Sequence, residues 1–538
     1  MAHIYAHLKK EGFSVTCLNL CHEPNGNVRE SLERAFAKRR LDVVCSGGMS
    51  VSWKRVEEVF ATAKAVSPGV TTVAGGPIVT ADPETALRHL TVDYGVAGEG
   101  EHTIVELLTT IQKNGPLEGV KGVAFLEPDG KFVFTGTRKE IGDLDSLSTP
   151  EYEAFGFRQW MGTLKYAGEN TLLETWDELR YAEVVGSRSC PFSCTFCYHP
   201  LGKIYRKRSL DHVFKEVDYL VNVFGVNAIQ FTDELFSATN KQMLDFAERI
   251  RPYKIKWMCQ FRVSRIQRDV LEKLVEAGLF YAGMGIESMN DAVLKSMKKK
   301  TTRAEIVFAL DTARKAGLFF SGNIILGDPA DTIETMNDSI KWWRDNPQFH
   351  VSMGLILAVP DAPVYRFALK EGLIKDAWEH ASNGFPLVNL TKLSNREYYN
   401  LALKIQYWNL MLTRATPGTL IGSKKLDERY NGKSFYQLEM RCPFCACEQK
   451  YKKFKANDNP NVLIICVKCF ASFKIPQKTA FYDDYSAFRT YRHVFSSLRK
   501  RYIQRFKFGR TNFAGLKKFF KSLLPSGKRR TQGERVFP

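Results

Sequence analysis

Cys190, Cys194 and Cys197 are spaced C-x3-C-x2-C within the stretch Ser187-Arg188-Ser189-Cys190-Pro191-Phe192-Ser193-Cys194-Thr195-Phe196-Cys197. A loop of that length can aim three thiolates at one face of a four-iron, four-sulfur cluster, whereas closed clusters take four protein thiolates. Three ligands leave one iron open, and an open iron can bind a substrate or a second cofactor. The competing reading, a structural zinc short of its fourth ligand, fits this spacing poorly. A second pattern lies far downstream. Cys442-Pro443-Phe444-Cys445 and Cys466-Val467-Lys468-Cys469 are two C-x2-C knuckles separated by twenty residues, close to the spacing of a four-cysteine zinc ribbon. Zinc there would hold together a fold too small for its own core, and the module could also dock a partner. Cys447 is an extra thiol that could compete as a ligand.

The elements around the first trio alternate with a period of about thirty residues, the size of a strand-helix unit. Strands are predicted at Tyr181 to Val185, Ala228 to Thr232, Lys256 to Gln260, Phe280 to Ile286, Phe319 to Leu326 and Val351 to Leu357, with amphipathic helices such as Ser209 to Phe224 and Thr302 to Ala316 between them. Six units imply a partial (β/α)6 barrel of the TIM type, whose chemistry sits at the carboxyl ends of its strands. The three cysteines directly follow the first strand. Upstream, Met1 to Val96 also alternates strand and helix, which implies a doubly wound, Rossmann-like sheet with a ligand at its strand ends near Ser46-Gly47-Gly48 and Gly75-Gly76. Gly122 to Phe134 reads as a hairpin about Asp129-Gly130.

Phe196 beside the last cysteine completes a pattern that closely resembles the radical S-adenosylmethionine superfamily. The resemblance implies a 4Fe-4S cluster on Cys190, Cys194 and Cys197 whose open iron chelates S-adenosyl-L-methionine. It extends to Tyr205-Arg206-Lys207-Arg208-Ser209, where arginine would help hold an anionic group, and to Asp233 and Glu234 near the ammonium of the cofactor. Gly283, Gly285 and Glu287 would lie by its ribose, and the strand ending at Gly327 by its adenine. Arg262, just after the third strand, stands at a further landmark of the family's barrel and could equally be a surface or ion-paired residue. The N-terminal part resembles the cobalamin-binding domain of one subclass through Asp42-Val43-Val44, Val73-Ala74-Gly75-Gly76-Pro77, Thr80-Ala81-Asp82-Pro83 and Gly98-Glu99-Gly100-Glu101, which places Ser46, Gly75 and Gly76 against cobalamin. The family's first strand is missing, and no D-x-H-x-x-G supplies a histidine to cobalt. Gly327-Asp328-Pro329-Ala330-Asp331-Thr332 and Pro360-Asp361-Ala362-Pro363 also depart from the family, on the substrate side.

The reading divides the chain into a cobalamin-binding-like domain at 1–140, a linker at 141–180, the barrel at 181–375, a helical cap at 376–435, a zinc ribbon at 436–480 and a basic helical tail at 481–538. The chain has 538 residues, 44% of them hydrophobic, and a net charge of +19. No stretch reads as a membrane span or a secretion signal, so a cytoplasmic protein is expected. Eight of the twelve cysteines fall in tight groups, as thiols or metal ligands would. Cys17, Cys21 and Cys45 are spaced loosely and read as buried structural cysteines. A second cluster on them would instead mark a methylthiotransferase-like, RNA-modifying enzyme. In the tail, Arg499, Lys500, Arg501 and Arg505 interleave with Phe495, Tyr502 and Phe506, which suits an anionic membrane surface, or equally a merely solvated tail, better than nucleic acid. The resemblance implies methyl transfer from methylcobalamin to a small-molecule or lipid-like substrate, with a flavodoxin or ferredoxin as reductant. The alternative class is a cobalamin or redox sensor acting through its ribbon without turnover.

Overall fold

A computed structural model describes residues 1–20, 27–164, 179–237, 239–411, 418–430, 432–456 and 461–484. Cys21 and the basic aromatic tail lie outside the described residues. The N-terminal sheet runs in the order β1 (Val43–Gly47), β2 (Thr71–Gly75), β3 (Tyr94–Val96), β4 (Val123–Leu126), β5 (Phe132–Phe134). The first three strands are parallel, and the hairpin adds antiparallel β4 and β5 at the far edge. Ser14 to Leu20, apolar enough to read as a strand, takes no place in the ladder. Its Leu18 and Leu20 instead pack beside Val44 and Val59, so the segment is placed by side-chain burial and not by backbone pairing.

The barrel sheet holds β6 (Tyr181–Val184), then, after the short ribbon of β7 (Ser187–Arg188) and β8 (Arg206–Lys207), β9 (Ala228–Phe231), β10 (Lys256–Phe261), β11 (Leu279–Glu287), β12 (Phe319–Leu326) and β13 (Val351–Leu355). Its order is β13-β12-β11-β10-β9-β6, and every neighbouring pair is parallel. Six strands stop short of closing a ring, which leaves a concave face open. The helices that cover the convex face start and stop where their caps dictate. Ser209 caps Leu210–Phe224, which ends on Gly225 in the left-handed region, and Thr302 with Glu305 forms a capping box for Arg303–Lys315. Between helices and sheet lies one apolar core in which Trp257 is fully buried. Its indole N–H donates to the Ala277 carbonyl at 3.0 Å.

The concave face is different in kind. Side chains two apart share one face of a strand, and Glu183, Gln260, Asn323 and Ser352 are exposed within their strands. Tyr281 bonds Ser321, and Asn323 bonds Ser352, across neighbouring strands on that face. The barrel is therefore lined by hydrogen-bonding groups open to solvent.

The stretch read as a helical cap is helical through Asn395–Met411, but Leu420–Tyr430 is a strand, β14, which pairs antiparallel with β15 (Lys433–Arg441) and thence with β16 (Glu448–Lys455). Exposed charges on its outward face masked this strand in the sequence. A second hairpin joins β17 (Asn461–Ile465) to β18 (Ser472–Pro476). The module has a core of its own, including Tyr436, Phe473 and Phe481, contrary to the expectation of a fold held by metal alone. It rests on the amino-terminal end of the barrel: Ser472 N–H donates to Gln348 O at 3.1 Å, and Phe470 packs over Gly317. No described helix is long and apolar enough to cross a membrane.

Candidate functional site

Each element brings its chemistry to the carboxyl end of the barrel. The cysteine loop leaves β7 through Ser189, whose φ of +69° is a left-handed conformation uncommon for a residue with a side chain. Its hydroxyl donates to Leu201 O at 2.7 Å. The Cys197 N–H donates to Cys194 O at 3.2 Å, and Thr195 N–H donates to Met297 O at 3.0 Å, which ties the loop to the C-terminal end of the short helix Asp291–Ser296 that follows β11. Cys194 is buried, while Cys190 and Cys197 are half-buried. Burial, then the neighbouring Cys194, pushes the Cys197 thiol up to about 12, and burial likewise raises Cys190. Cys194 adds to the rise at both Cys190 and Cys197. A bound iron would reverse this cost by holding them as thiolates.

Buried polar atoms without a protein partner gather here. They are Thr195 Oγ1, His199 Nε2, Asp233 Oδ2 and both Nε and Nη2 of Arg262. Other such atoms lie elsewhere in the chain, among them Trp53 Nε1, His350 Nδ1 and Gln477 Oε1, but here five lie on residues around one loop, where a bound ligand or ion would take them up. Arg262, left open from sequence between a barrel landmark and a surface or ion-paired residue, is 6% exposed, lies 3.7 Å over the Phe192 ring and points Nη1 at Cys194 Sγ, 3.9 Å away. Nothing local in the sequence distinguishes it; only its place just beyond β10 does.

The other predicted residues are distributed less simply. Asp233 accepts the Gly186 N–H at 2.7 Å, and burial pushes its carboxyl up to about 7. Glu234 lies 3.2 Å from His199 Nδ1. The acidic pair is thus split, with Asp233 turned inward beneath the cysteine loop and Glu234 outward. Glu287, at φ +65°, pairs with Lys299 Nζ at 2.7 Å, and a Cβ on Gly285 would collide with both side chains. Gly283 faces Gln260 with ordinary clearance, and Gly327, at φ +103°, is covered by Tyr398. Phe196 packs in a satellite core with Tyr198 and Ile325. Arg206 and Arg208 do not wait for an external anion: they are paired with Glu99 and Glu216 respectively.

In the N-terminal sheet, Ser46 and Gly75 stand at the carboxyl ends of β1 and β2. Gly76 turns at φ +82°, and a Cβ on Gly47 would run into the Gly75 carbonyl. The loop after β1 exposes Met49 and Val51. The Tyr198 hydroxyl, one residue past Cys197, donates to Pro77 O at 3.3 Å, so the two loop systems meet. Cys17 and Cys45 are half-buried.

Among the described residues, the group whose ligand atoms all lie within 4.8 Å of one another is Cys442, Cys445, Cys466 and Cys469. Its Sγ–Sγ separations of 3.7 and 3.6 Å match the ~3.8 Å edge of a tetrahedron of thiolates at ~2.3 Å from zinc. Cys447 points instead at the Glu448 carbonyl. Cys190, Cys194 and Cys197 do not form such a single-ion group, as ligands spread over a larger cluster would not.

The Radical SAM superfamily model matches residues 184–342, and the B12 binding domain model matches residues 1–108. An uncharacterized methyltransferase of Pyrococcus horikoshii is 28% identical over 64% of this chain and 72% of its own. The anaerobic magnesium-protoporphyrin IX monomethyl ester cyclase of Cereibacter sphaeroides is 29% identical over 58% of this chain, and the match spans only 50% of the cyclase. Among solved structures, the cobalamin-dependent S-adenosylmethionine radical enzyme OxsB superposes with a TM-score of 0.61 at 15% identity, over 78% of this chain and 66% of its own. The radical S-adenosylmethionine methyltransferase TsrM of Kitasatospora setae does so with 0.56 at 17%, over 69% and 72%. The chain thus carries a segment that matches the B12 binding domain model, residues 1–108, ahead of a barrel segment that matches the Radical SAM superfamily model, residues 184–342.

Proposed function

We propose that the chain cleaves S-adenosylmethionine at a cluster held by Cys190, Cys194 and Cys197 and, with cobalamin, methylates or otherwise remodels an unactivated carbon of a small molecule. The observation that carries this reading is the set of unpartnered buried polar atoms around the loop of Cys190, Cys194 and Cys197, beside the Gly75-Gly76 turn of the other domain. When bound, the reduced cluster supplies the electron that generates a 5'-deoxyadenosyl radical, and cobalamin supplies the methyl group. The residues themselves bind, orient and exclude water, which is the protein's share in cofactor chemistry.

In this reading Arg262 receives the carboxylate of S-adenosylmethionine. Its stem and ring contacts are satisfied, while two of its donor nitrogens are not. Arg262→Met keeps the stem and removes the charge. The S-adenosylmethionine concentration giving half-maximal cleavage should rise by about 10- to 100-fold, the worth of a charge-assisted hydrogen bond. An unchanged dependence would remove Arg262 from this role. Glu287 would present the carboxylate oxygen not bonded by Lys299 to the ribose.

The polar concave face favours a hydrogen-bonding substrate over a lipid-like one. Cytoplasmic location, a flavodoxin or ferredoxin donor and contact of the basic tail with an anionic membrane belong to the same proposal. The glycine turns and the exposed Met49 and Val51 would lie against the corrin, and no D-x-H-x-x-G histidine would reach cobalt. Hydroxocobalamin added to the purified chain, followed by gel filtration and absorbance, should show a stoichiometric complex. Loss of all cobalamin from protein that holds its iron would refute the cobalamin half of the reading. Iron content separates the methylthiotransferase-like route: about four atoms per chain support a single cluster, and about eight a second one.

A further inference from the structure

The base of the cysteine loop is held by the neighbouring domain. Glu99 and Glu101, from the turn after β3, and Arg188 and Arg206, from the β7–β8 ribbon, are all buried. Arg188 Nη1 meets Glu99 Oε1 at 2.7 Å and its Nη2 meets Glu101 Oε1 at 2.6 Å. Arg206 Nη1 meets Glu99 Oε2 at 2.7 Å, and that oxygen also accepts the Ile141 N–H at 2.6 Å. Arg206 Nη2 then donates to Ser189 Oγ at 3.3 Å and to Leu201 O at 2.8 Å. Ser189, in its left-handed conformation, is the residue before Cys190.

Two carboxylates and two guanidiniums buried together are a poor way to gain stability, because desolvation offsets their attraction and apolar replacements often do as well. Their geometry serves another purpose. Glu99 shares its oxygens between the arginine that precedes the cysteines and the arginine that bonds Ser189, so a shift of either guanidinium moves the backbone leading into Cys190. The same turn is anchored on the cobalamin side, where Gly98 N–H donates to Thr80 Oγ1 at 2.9 Å.

We infer that Glu99 is a positioning residue for the cluster: through Arg188, Arg206 and Ser189 it fixes where Cys190 stands and holds the cluster in register with the loops of the B12-binding domain. This rests on the proposal that Cys190 is a cluster ligand. The test uses the full chain reconstituted without oxygen, with S-adenosylmethionine and dithionite as probes. Glu99→Gln should keep its iron, yet cleave S-adenosylmethionine at least about tenfold more slowly, since small misplacements of a reacting centre cost that much. The change that S-adenosylmethionine induces in the electron paramagnetic resonance of the reduced cluster should be altered too. The double variant Glu99→Gln/Arg206→Gln removes the surplus buried charge but also the bond to Ser189. Its melting temperature should return toward the native value while the rate and spectrum stay defective, and it carries the test if the single variant fails to fold. Native cleavage and a native spectrum in either variant, or recovery of rate together with stability in the double variant, would overturn the inference. Native protein that forms no cluster would instead refute the proposed function and leave the charge network as interdomain packing.

Discussion

Cys194→Ala is expected to abolish formation of 5'-deoxyadenosine and to leave the barrel folded. Cys194 is the most buried of the three thiols, with Arg262 and the Lys298 carbonyl each 3.9 Å from its sulfur. In the proposed cluster site, losing it removes the central ligand of the loop, and two thiolates cannot replace the charge and geometry of three. Iron should fall from about four atoms per chain to a small fraction of that. The apolar core beneath is built from strands and helices that do not include the loop, so circular dichroism should change little. A variant that retains full iron and activity would place the cluster elsewhere.

The second large effect concerns the ribbon. With zinc proposed on Cys442, Cys445, Cys466 and Cys469, Cys466→Ser should lower the zinc that the chain holds and expose β14 to β18 to protease, because structural zinc contributes about 10–16 kcal/mol to folding in small zinc domains. The apolar core around Tyr436 and Phe473 offsets part of that loss, so partial protection in high salt would be consistent. Cleavage of S-adenosylmethionine should survive within about threefold, since chemistry in such a barrel sits at the opposite, carboxyl end of the strands. The ribbon touches the barrel through Gln348, Gly317 and Asn409, where Lys474 Nζ donates to the Asn409 carbonyl at 2.8 Å. Loss of the iron cluster along with the zinc would show that the ribbon supports the active face after all. Metal analysis with timed proteolysis distinguishes the two outcomes.

The parallel barrel strands were legible in sequence because each is a short run, apolar on the side that meets the helices, set about thirty residues from the next. The cysteine groups were legible because ligand spacing within a loop is local. What escaped was long-range. Arg262 carries no neighbouring signal, and its stacking on Phe192 joins residues that only the fold brings together. Arg206 read as a receptor for an external anion because its partner, Glu99, stands 107 residues away. The pair Asp233 and Glu234 read as one acidic feature, whereas a strand end turns adjacent side chains to opposite sides. Leu420–Tyr430 carries too many exposed charges to announce a strand, and its partner strand is what fixes it.

One measurement decides whether the three thiols hold a working cluster: 5'-deoxyadenosine formed when the anaerobically reconstituted native chain is incubated with S-adenosylmethionine and a low-potential reductant. Formation that depends on the reductant and disappears in Cys190, Cys194 and Cys197 alanine variants is the predicted result. Protein with a full complement of iron that yields none, or variants that yield as much as the native chain, would contradict it.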